Sequence, residues 1–320
     1  MRNQQQLDVP VLLIFFCRSD VFQQVFECVK RAKPKKLYLY QDGAREGNSN
    51  DIIGIQKCRE IAADIDWECE VHRYYQEKNV GCDPSEYIAQ KWMFDQEEMG
   101  IVLEDDDVVS DSFFPFCQEL LVKYKDDERI NIICGMNHFG TYDKPRADYF
   151  FTTTGAITGW ASWKRVIDSW DPDCSYFEDP YLMDCLKSVL GKKYEKCKTT
   201  WYKQKLTGKA HYEGLLGAST FLNNRLNIVP TKNMVKNIGL TDDATHSFVN
   251  TIYQLPRNVR CIFFAKTYEY EFPLKHPRYV VNDEFYREKL NKKLGGNFFV
   301  RFCRRIEGRL YRIFPALGRL

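Results

Sequence analysis

The first 110 residues alternate between short apolar runs and longer amphipathic segments. Residues 9–16 form a continuous apolar run rich in β-branched and aromatic side chains, which is typical of a strand buried on both faces of a parallel sheet. Further strands are predicted over 37–40, 67–75 and 100–103, and helices over 21–33, 52–65 and 84–98. This alternation indicates right-handed βαβ units, and therefore an α/β fold with a mostly parallel sheet flanked by helices.

The pattern is less regular in the second half of the chain. A helix over 113–124 and a strand over 130–134 are predicted, and the period is lost beyond about residue 142. Residues 298–314 then place apolar side chains at helical spacing with arginines between them. We therefore expect one domain over 1–274, with two halves that meet at residue 110, and a basic helical appendage over 275–320.

Charge, cysteine content and the length of the apolar runs add to this picture. The chain has 46 Lys and Arg against 44 Asp and Glu, and its net charge of +2 gives no reason to expect a nucleic acid partner. Residues 275–320, however, hold 12 basic and 4 acidic residues, a net charge of +8. The twelve cysteines form no Cys-x-x-Cys pair, so we expect free thiols in a cytoplasmic protein. No apolar run is long enough to cross a membrane.

Four acidic residues, Glu104 to Asp107, directly follow the predicted strand 100–103. Ligands of open α/β sheets bind at the carboxyl ends of the strands. A divalent cation, Mn²⁺ or Mg²⁺, would relieve the repulsion between these carboxylates and keep coordination positions open for phosphate oxygens. We therefore predict a metal site that assists a diphosphate leaving group. A solvated acidic turn without metal is the alternative.

Other short motifs accompany the acidic run over roughly residues 9–250. They are Phe15-Phe16-Cys17-Arg18-Ser19, Gln41-Asp42-Gly43, Gly159-Trp160-Ala161-Ser162-Trp163, Asn223-Asn224, Asn227-Ile228-Val229-Pro230, Asn237-Ile238-Gly239 and Asp243-Ala244-Thr245-His246. In this order they resemble the GT-A glycosyltransferases, chiefly the bacterial nucleotide-diphospho-sugar transferases and more remotely the N-acetylglucosaminyltransferase I group. Neither a phosphate-binding P-loop motif nor a Gly-x-Gly-x-x-Gly motif after the first strand is present.

The resemblance implies a GT-A fold and metal-dependent, inverting transfer of a hexosyl or N-acetylhexosaminyl group from a UDP-sugar to a glycan or lipid-linked saccharide. It implies a nucleotide-binding half over 1–110, and an acceptor side with a closing loop over 111–274. The donor-binding positions that it gives are Arg18, Asp42, Glu104, Asp105, Asn237, Gly239 and His246. The metal positions are Asp105, Asp106 and His246, and the acceptor positions are Gly159 and Trp160.

An inverting transfer needs a carboxylate that removes the proton of the acceptor hydroxyl. The related enzymes carry an Asp after a Trp at this place. The corresponding residue here is Glu213, which follows Tyr212, so the chain departs from the family pattern at both positions. Glu178 and Asp179 are the fallback candidates for this base.

The basic segment over 297–314 predicts peripheral contact with an anionic membrane, on the inner face of the cytoplasmic membrane. A helix packed on the protein's own core with solvated arginines is the alternative. Two other functions stay open. A sugar-nucleotide pyrophosphorylase uses the same kind of sheet and a metal, although it usually begins with a Gly-rich loop. A non-enzymatic, membrane-attached scaffold would use the acidic cluster to bind Ca²⁺.

Overall fold

The computed structural model describes residues 6–208, 211–240, 251–295, 298–314 and 316. Strands and helices alternate in the amino-terminal third, as the sequence predicts. The elements are β1 (Val11–Phe15), α1 (Ser19–Ala32), β2 (Lys36–Gln41), α2 (Ser49–Ala63), β3 (Glu70–Tyr75), α3 (Cys82–Phe94) and β4 (Met99–Glu104). Every residue of β1 is buried, as its continuous apolar run requires.

The limits of these elements differ from the predicted ones by up to four residues, as β3 and α3 illustrate. The strand predicted from residue 67 begins at Glu70, and Trp67, which precedes it, donates its side-chain Nε1–H to the Pro34 carbonyl (2.9 Å). The helix predicted over 84–98 begins at Cys82 and ends at Phe94. Pro84 therefore lies in the first turn of α3, where a missing N–H leaves no helical bond unmade.

The remaining elements complete one large sheet and its helical cover. They are β5 (Asp107–Val109), α4 (Phe113–Lys123), β6 (Ile130–Cys134), β7 (Tyr149–Thr152), β8 (Trp160–Trp163), α5 (Lys164–Ile167), α6 (Pro180–Leu190), α7 (Tyr194–Thr207), α8 (Tyr212–Leu222), β9 (Leu226–Pro230), β10 (Val235–Asn237), α9 (Glu284–Leu294) and α10 (Phe298–Ile313). Among the described residues, eight strands form a sheet in the order β3-β2-β1-β4-β8-β6-β9-β7, and β5 and β10 form a separate ribbon.

The direction of the strands fixes where a ligand can enter. β3, β2, β1 and β4 run parallel, and β8 enters antiparallel beside β4. The chain passes from β1 outward to β3 and then returns to the other side of β1 as β4. The connections of β1 and β4 therefore diverge, which opens a crevice at their carboxyl ends. The predicted α/β fold with a mostly parallel sheet is confirmed.

The segment after residue 274 does not stand apart from the domain over its whole length. Tyr286 of α9 is fully buried in the main core, where its ring contacts those of Phe139, Tyr142 and Phe150. α9 thus belongs to the packed body, and α10 follows it. A second, smaller apolar cluster joins α6, α7 and α8. In the part of the chain that is described, no helix is both long and apolar enough to cross a membrane.

Candidate active site

An arginine and an acidic turn meet at the carboxyl ends of β1 and β4. Arg18 follows β1, and Asp105 and Asp106 form the turn between β4 and β5. The guanidinium of Arg18 contacts Asp105, and its Nη2 donates to Asp106 Oδ2 at 2.9 Å. Its Nη1 donates to the carbonyl of Gly239 at 3.3 Å. The sequence-predicted Arg18, Asp105, Asp106 and Gly239 are therefore brought together.

Charge and burial work against each other in this cluster. Burial disfavours the charged form of Arg18, but the adjacent Asp105 and Asp106 outweigh it, so the arginine pKa lies above its ordinary value. Burial and the charge of Asp105 raise the pKa of Asp106, although Arg18 opposes this shift. The turn is thus an electrostatically costly site that concentrates negative charge around a single guanidinium.

The ribbon of β5 and β10 holds Asp106 from the other side. Asn237, which ends β10, donates its side-chain N–H to Asp106 Oδ1 (2.8 Å), and its own Oδ1 accepts the N–H of Gly239 (3.0 Å). The Asp106 carbonyl accepts the N–H of Ile238 (2.9 Å). A Cβ on Gly239 would lie 1.9 Å from Asp106 Oδ2, so only glycine fits there. Asn237 and Gly239 therefore fix the position of the Asp106 carboxylate.

Asp107 has a different role from its neighbours. Its side chain is 1% exposed, and its Oδ2 accepts the backbone N–H of Gly159 (2.7 Å) and of Glu104 (3.3 Å). Burial raises the pKa of Asp107 well above its ordinary value. The last acid of the run thus anchors the turn to the segment before β8, which leaves Asp105 and Asp106 as the pair of the run that Arg18 contacts.

Asp42 organises the loop after β2. Its two carboxylate oxygens accept hydrogen bonds from the backbone N–H groups of Gly43, Val80 and Gly81 and from the Asn79 side chain, at 2.8–3.0 Å. A carboxylate has about four lone-pair positions, so these donors fill it. Asp42 therefore reaches a uracil N–H only if Asn79 gives way, and the predicted base contact remains a prediction.

One pocket joins these side chains at the crevice. It has a volume of about 150 Å³, and its lining includes Phe16, Arg18, Asp42, Arg45, Glu86 and Asp105. Arg45 lies over the ring of Phe16, 5.6 Å from its centroid. The pocket thus carries a flat apolar surface at one place and the acidic turn with its arginine at another.

Glu86 is a site residue that the sequence analysis missed. It lies on α3 and lines the same pocket as Glu104. Burial raises the pKa of Glu86 to about 8, and the charges of Glu213 and Asp83 act in the same direction. Burial and the charge of Glu86 raise the pKa of Glu104 well above its ordinary value. The signal in the sequence is weak, because a single acid in the second turn of a helix is ordinarily an exposed surface side chain.

Glu86→Gln is expected to remove part of the pH dependence of stability. The folded pKa of about 8 lies above the ordinary value of 4.5, so the unfolded chain binds fewer protons between these values. The free energy of unfolding therefore falls as pH rises through this window, by up to about 1.4 kcal/mol per pH unit for one group. Urea unfolding at several pH values within the window measures the slope, which we expect to be smaller in Glu86→Gln. The exposed Glu46→Gln is the control, and an equal slope in both variants would contradict the prediction.

Glu213 lies at the rim of a second cavity and close to the acidic cluster. It is exposed at the start of α8, and its charge acts on Glu86. The preceding Tyr212 is buried and donates its hydroxyl to Glu104 Oε1 (3.3 Å). The second cavity has a volume of about 410 Å³ and is lined by Glu213, His138 and Thr153, among others. The predicted base thus lines the second cavity and lies near Glu86, which lines the first.

Two buried polar atoms in the lining of the second cavity have no hydrogen-bond partner among the described residues. They are His138 Nδ1 and Thr153 Oγ1. Burial lowers the pKa of His138 to about 4, and the charge of Lys293 adds to this shift, so the imidazole is neutral at pH 7.

The other predicted residues have structural contacts. Trp160, a predicted acceptor position, is 1% exposed between the rings of Phe94 and Tyr212, so its ring is not open to an acceptor in this structure. Gly159, at φ +57°, donates its N–H to Asp107 and closes the turn. Of the fallback bases, Asp179 caps α6 and Glu178 pairs with Lys205 on the surface (3.0 Å). His246 lies outside the described residues.

The carboxylates of the acidic turn are the side chains of this site that could ligate a divalent cation. Within the described ranges, no group of three His, Cys, Asp or Glu side chains converges on one point. Mg²⁺ is nevertheless commonly held by one or two carboxylates together with substrate phosphates. Asp105 and Asp106 provide such a pair, because both turn their oxygens toward the Arg18 guanidinium. The residues therefore fit a cation that is shared with a phosphorylated ligand.

Comparison with known proteins finds only remote structural similarity. No protein-family model and no curated protein sequence matches the chain. Among solved structures, it is similar to an apo UDP-glucose pyrophosphorylase, with 8% identity, TM-score 0.38, and coverage of 72% of this chain and 93% of that one. It is also similar to a UDP-glucose pyrophosphorylase complexed with UDP-glucose, with 9% identity, TM-score 0.37, and coverage of 71% of this chain and 91% of that one. The similarity to the apo bifunctional glycosyltransferase WbbM has 9% identity, TM-score 0.31, and coverage of 67% of this chain and 39% of that one.

Proposed function

We propose that the protein is a metal-dependent, inverting glycosyltransferase that uses a UDP-sugar as donor. The observation that carries this proposal is the meeting of Arg18, Asp105 and Asp106 at the switch point of the sheet, beside a pocket that Arg18 and Asp105 line. Acidic and cationic groups at this place suit a diphosphate with its counterion. A diphosphate is the leaving group of a nucleotide-activated sugar.

Asp105 and Asp106 would hold the cation, with His246 as a third proposed ligand. When bound, the cation supplies positive charge that stabilises the diphosphate as it leaves. Arg18 would face the same phosphates, because a guanidinium can bind two phosphate oxygens at once. The ring of Phe16 would contact the nucleotide base. Asp42 is the proposed hydrogen-bond acceptor for a uracil N–H, provided that Asn79 breaks its hydrogen bond to Asp42.

Glu213 is the proposed base. It would take the proton of an acceptor hydroxyl while that oxygen attacks the anomeric carbon and the bond to the diphosphate oxygen breaks. Its position in the lining of the second cavity supports this role, since polar residues such as Thr154 and Asn227 line the same space. The acceptor class that we propose is a glycan or a lipid-linked saccharide.

Glu213→Gln is expected to lower the transfer rate by about 10²- to 10⁴-fold, because the amide cannot accept the proton. UDP affinity should stay unchanged, since the residue faces the acceptor. Steady-state kinetics with a turned-over UDP-sugar and titration with UDP separate the two effects. Glu178→Gln serves as the control, and a loss in that variant would move the base assignment away from Glu213. Activity of Glu213→Gln together with inactivity of Glu86→Gln would identify Glu86 as the base.

The experiment that tests the whole proposal is titration of UDP, GDP, CMP and ATP, with Mn²⁺ and with chelator, followed by a screen of UDP-sugars. Metal-dependent UDP binding and release of UDP from a UDP-sugar support it. Formation of a UDP-sugar from UTP and a sugar 1-phosphate would favour a pyrophosphorylase. Metal binding without any nucleotide preference would favour the Ca²⁺-binding scaffold.

A further inference from the structure

The carboxy-terminal helix α10 contacts the protein through a small and partly polar face. Tyr311 is 8% exposed, and the guanidinium of Arg260 lies over its ring, with Arg260 Cζ 5.0 Å from the ring centroid. A Cβ on Gly308 would lie 3.1 Å from Pro256 Cγ, so the backbone approaches closely there. Arg304 donates to carbonyls at the end of α9, including that of Lys293 at 3.0 Å. This face fixes the helix to the body.

The apolar stripe of α10 lies on another face. It consists of Phe299, Phe302, Ile306, Leu310, Ile313 and Phe314, whose exposed fractions range from 42% to 71%. Three- and four-residue steps keep these side chains on one side of the helix. The alternative interpretation of the sequence, in which this stripe packs on the protein's own core, is therefore not what the structure has. Six large exposed side chains on one helical face form a patch that a soluble surface rarely carries.

Arginines border the stripe on one side. At about 100° per residue, Arg305, Arg309 and Arg312 project between the apolar stripe and the docked face, and all three side chains are exposed. The single acid of the helix, Glu307, lies at the opposite border. The helix therefore presents an apolar surface with a cationic edge, in a region whose sequence carries a net charge of +8.

We propose that the α10 stripe docks on an anionic lipid bilayer, with the helix lying in the plane of the headgroups. The apolar side chains would enter the acyl boundary while the bordering arginines pair with anionic headgroups. The 16-residue helix is too short to span a bilayer, so it rests on the surface. Charge selects this occupant over a second copy of the chain, because two such helices would bring their arginine edges together. This inference does not depend on the proposed transferase activity.

The test is sedimentation of the full chain with vesicles of phosphatidylglycerol and phosphatidylcholine, compared with phosphatidylcholine alone. We expect binding to the anionic vesicles to be at least about tenfold stronger, and to weaken in high salt. Ile306→Ser/Leu310→Ser should reduce it about tenfold or more, because two side chains no longer enter the acyl boundary. Arg305→Gln/Arg309→Gln/Arg312→Gln should remove the preference for anionic vesicles.

The matched control is Ile52→Ser/Ile53→Ser, which removes two exposed apolar side chains from α2. This variant should bind vesicles as the unaltered chain does. Equal loss in the control, or equal binding to both vesicle types, would overturn the proposal. A dimer that is lost in Ile306→Ser/Leu310→Ser, without vesicle binding by the unaltered chain, would assign the stripe to a second copy instead. UDP titration of the α10 variants keeps the outcome separate from that of the proposed transferase function, because they leave the nucleotide site intact.

Discussion

Asp106→Asn is expected to abolish metal-dependent UDP binding and to reduce sugar transfer by about a thousandfold or more. The side chain keeps its shape but loses the charge that would hold the cation, and Arg18 loses one of its two carboxylate partners. Titration with UDP in the presence of Mn²⁺ or chelator measures the binding loss. Turnover of the UDP-sugar identified in the screen measures the loss of transfer.

Two other aspartates serve as comparisons for Asp106. Asp126 has a side chain that is 88% exposed, so Asp126→Asn should leave both binding and transfer unchanged. Asp107→Asn should lower stability, by about 1–3 kcal/mol, because a buried acceptor of two backbone N–H groups is altered. Wild-type affinity for UDP with Mn²⁺ in a folded Asp106→Asn protein would exclude Asp106 from the donor site.

The placement of Arg18 and the acidic turn could be predicted because it depends on backbone topology alone. Alternating strands and helices fix a parallel sheet, and residues that follow β1 and β4 must then meet at one edge. The order of the two strands, with β1 beside β4, places the switch point between them. No detail of side-chain packing was needed for this step.

The roles of single residues could not be predicted in the same way. Asp42 and Asp107 are acids at strand ends, as Asp106 is, but their oxygens are taken by backbone N–H groups of loops that come from elsewhere in the chain. Trp160 follows a loop glycine, yet its ring is covered by Phe94 and Tyr212. Glu86 becomes a site residue only because α3 packs against β1 and turns it inward. These roles depend on tertiary contacts between distant segments.

The site that results has more negative than positive charge. Glu86, Glu104 and Asp105 line one pocket, and Arg18 is the cationic side chain, among those described, that contacts Asp105 and Asp106. Burial raises the pKa of Glu86 to about 8 and the pKa of Glu104 well above its ordinary value, which favours their neutral forms and lowers the repulsion. Arg18 carries one positive charge against the two carboxylates that it contacts, Asp105 and Asp106. A divalent cation that binds together with a diphosphate would add positive charge at this place. The arrangement therefore favours binding of both together over binding of a bare diphosphate.

Gly239→Ala is expected to lower metal-dependent UDP affinity about a hundredfold or more, although it adds a single methyl group. The new Cβ would lie 1.9 Å from Asp106 Oδ2 and 2.7 Å from Asp106 Cγ, so the carboxylate must move. Asp106 is buried and is held by Asn237 and Arg18, which leaves it little room. A displacement of about 1 Å at a reacting site can cost about a hundredfold.

Gly217→Ala is the matched control for this variant. A Cβ there meets no atom within 4 Å, and alanine in the interior of α8 should raise stability by up to about 1 kcal/mol. Thermal unfolding of both variants shows whether each is folded. UDP titration then measures the affinity of the nucleotide site in the folded variants. Unchanged affinity in Gly239→Ala would mean that Asp106 can move without cost to the nucleotide, and that its fixed position is not what recognises the diphosphate. A loss confined to Gly239→Ala would tie the affinity to the place of one carboxylate rather than to the number of acids in the turn.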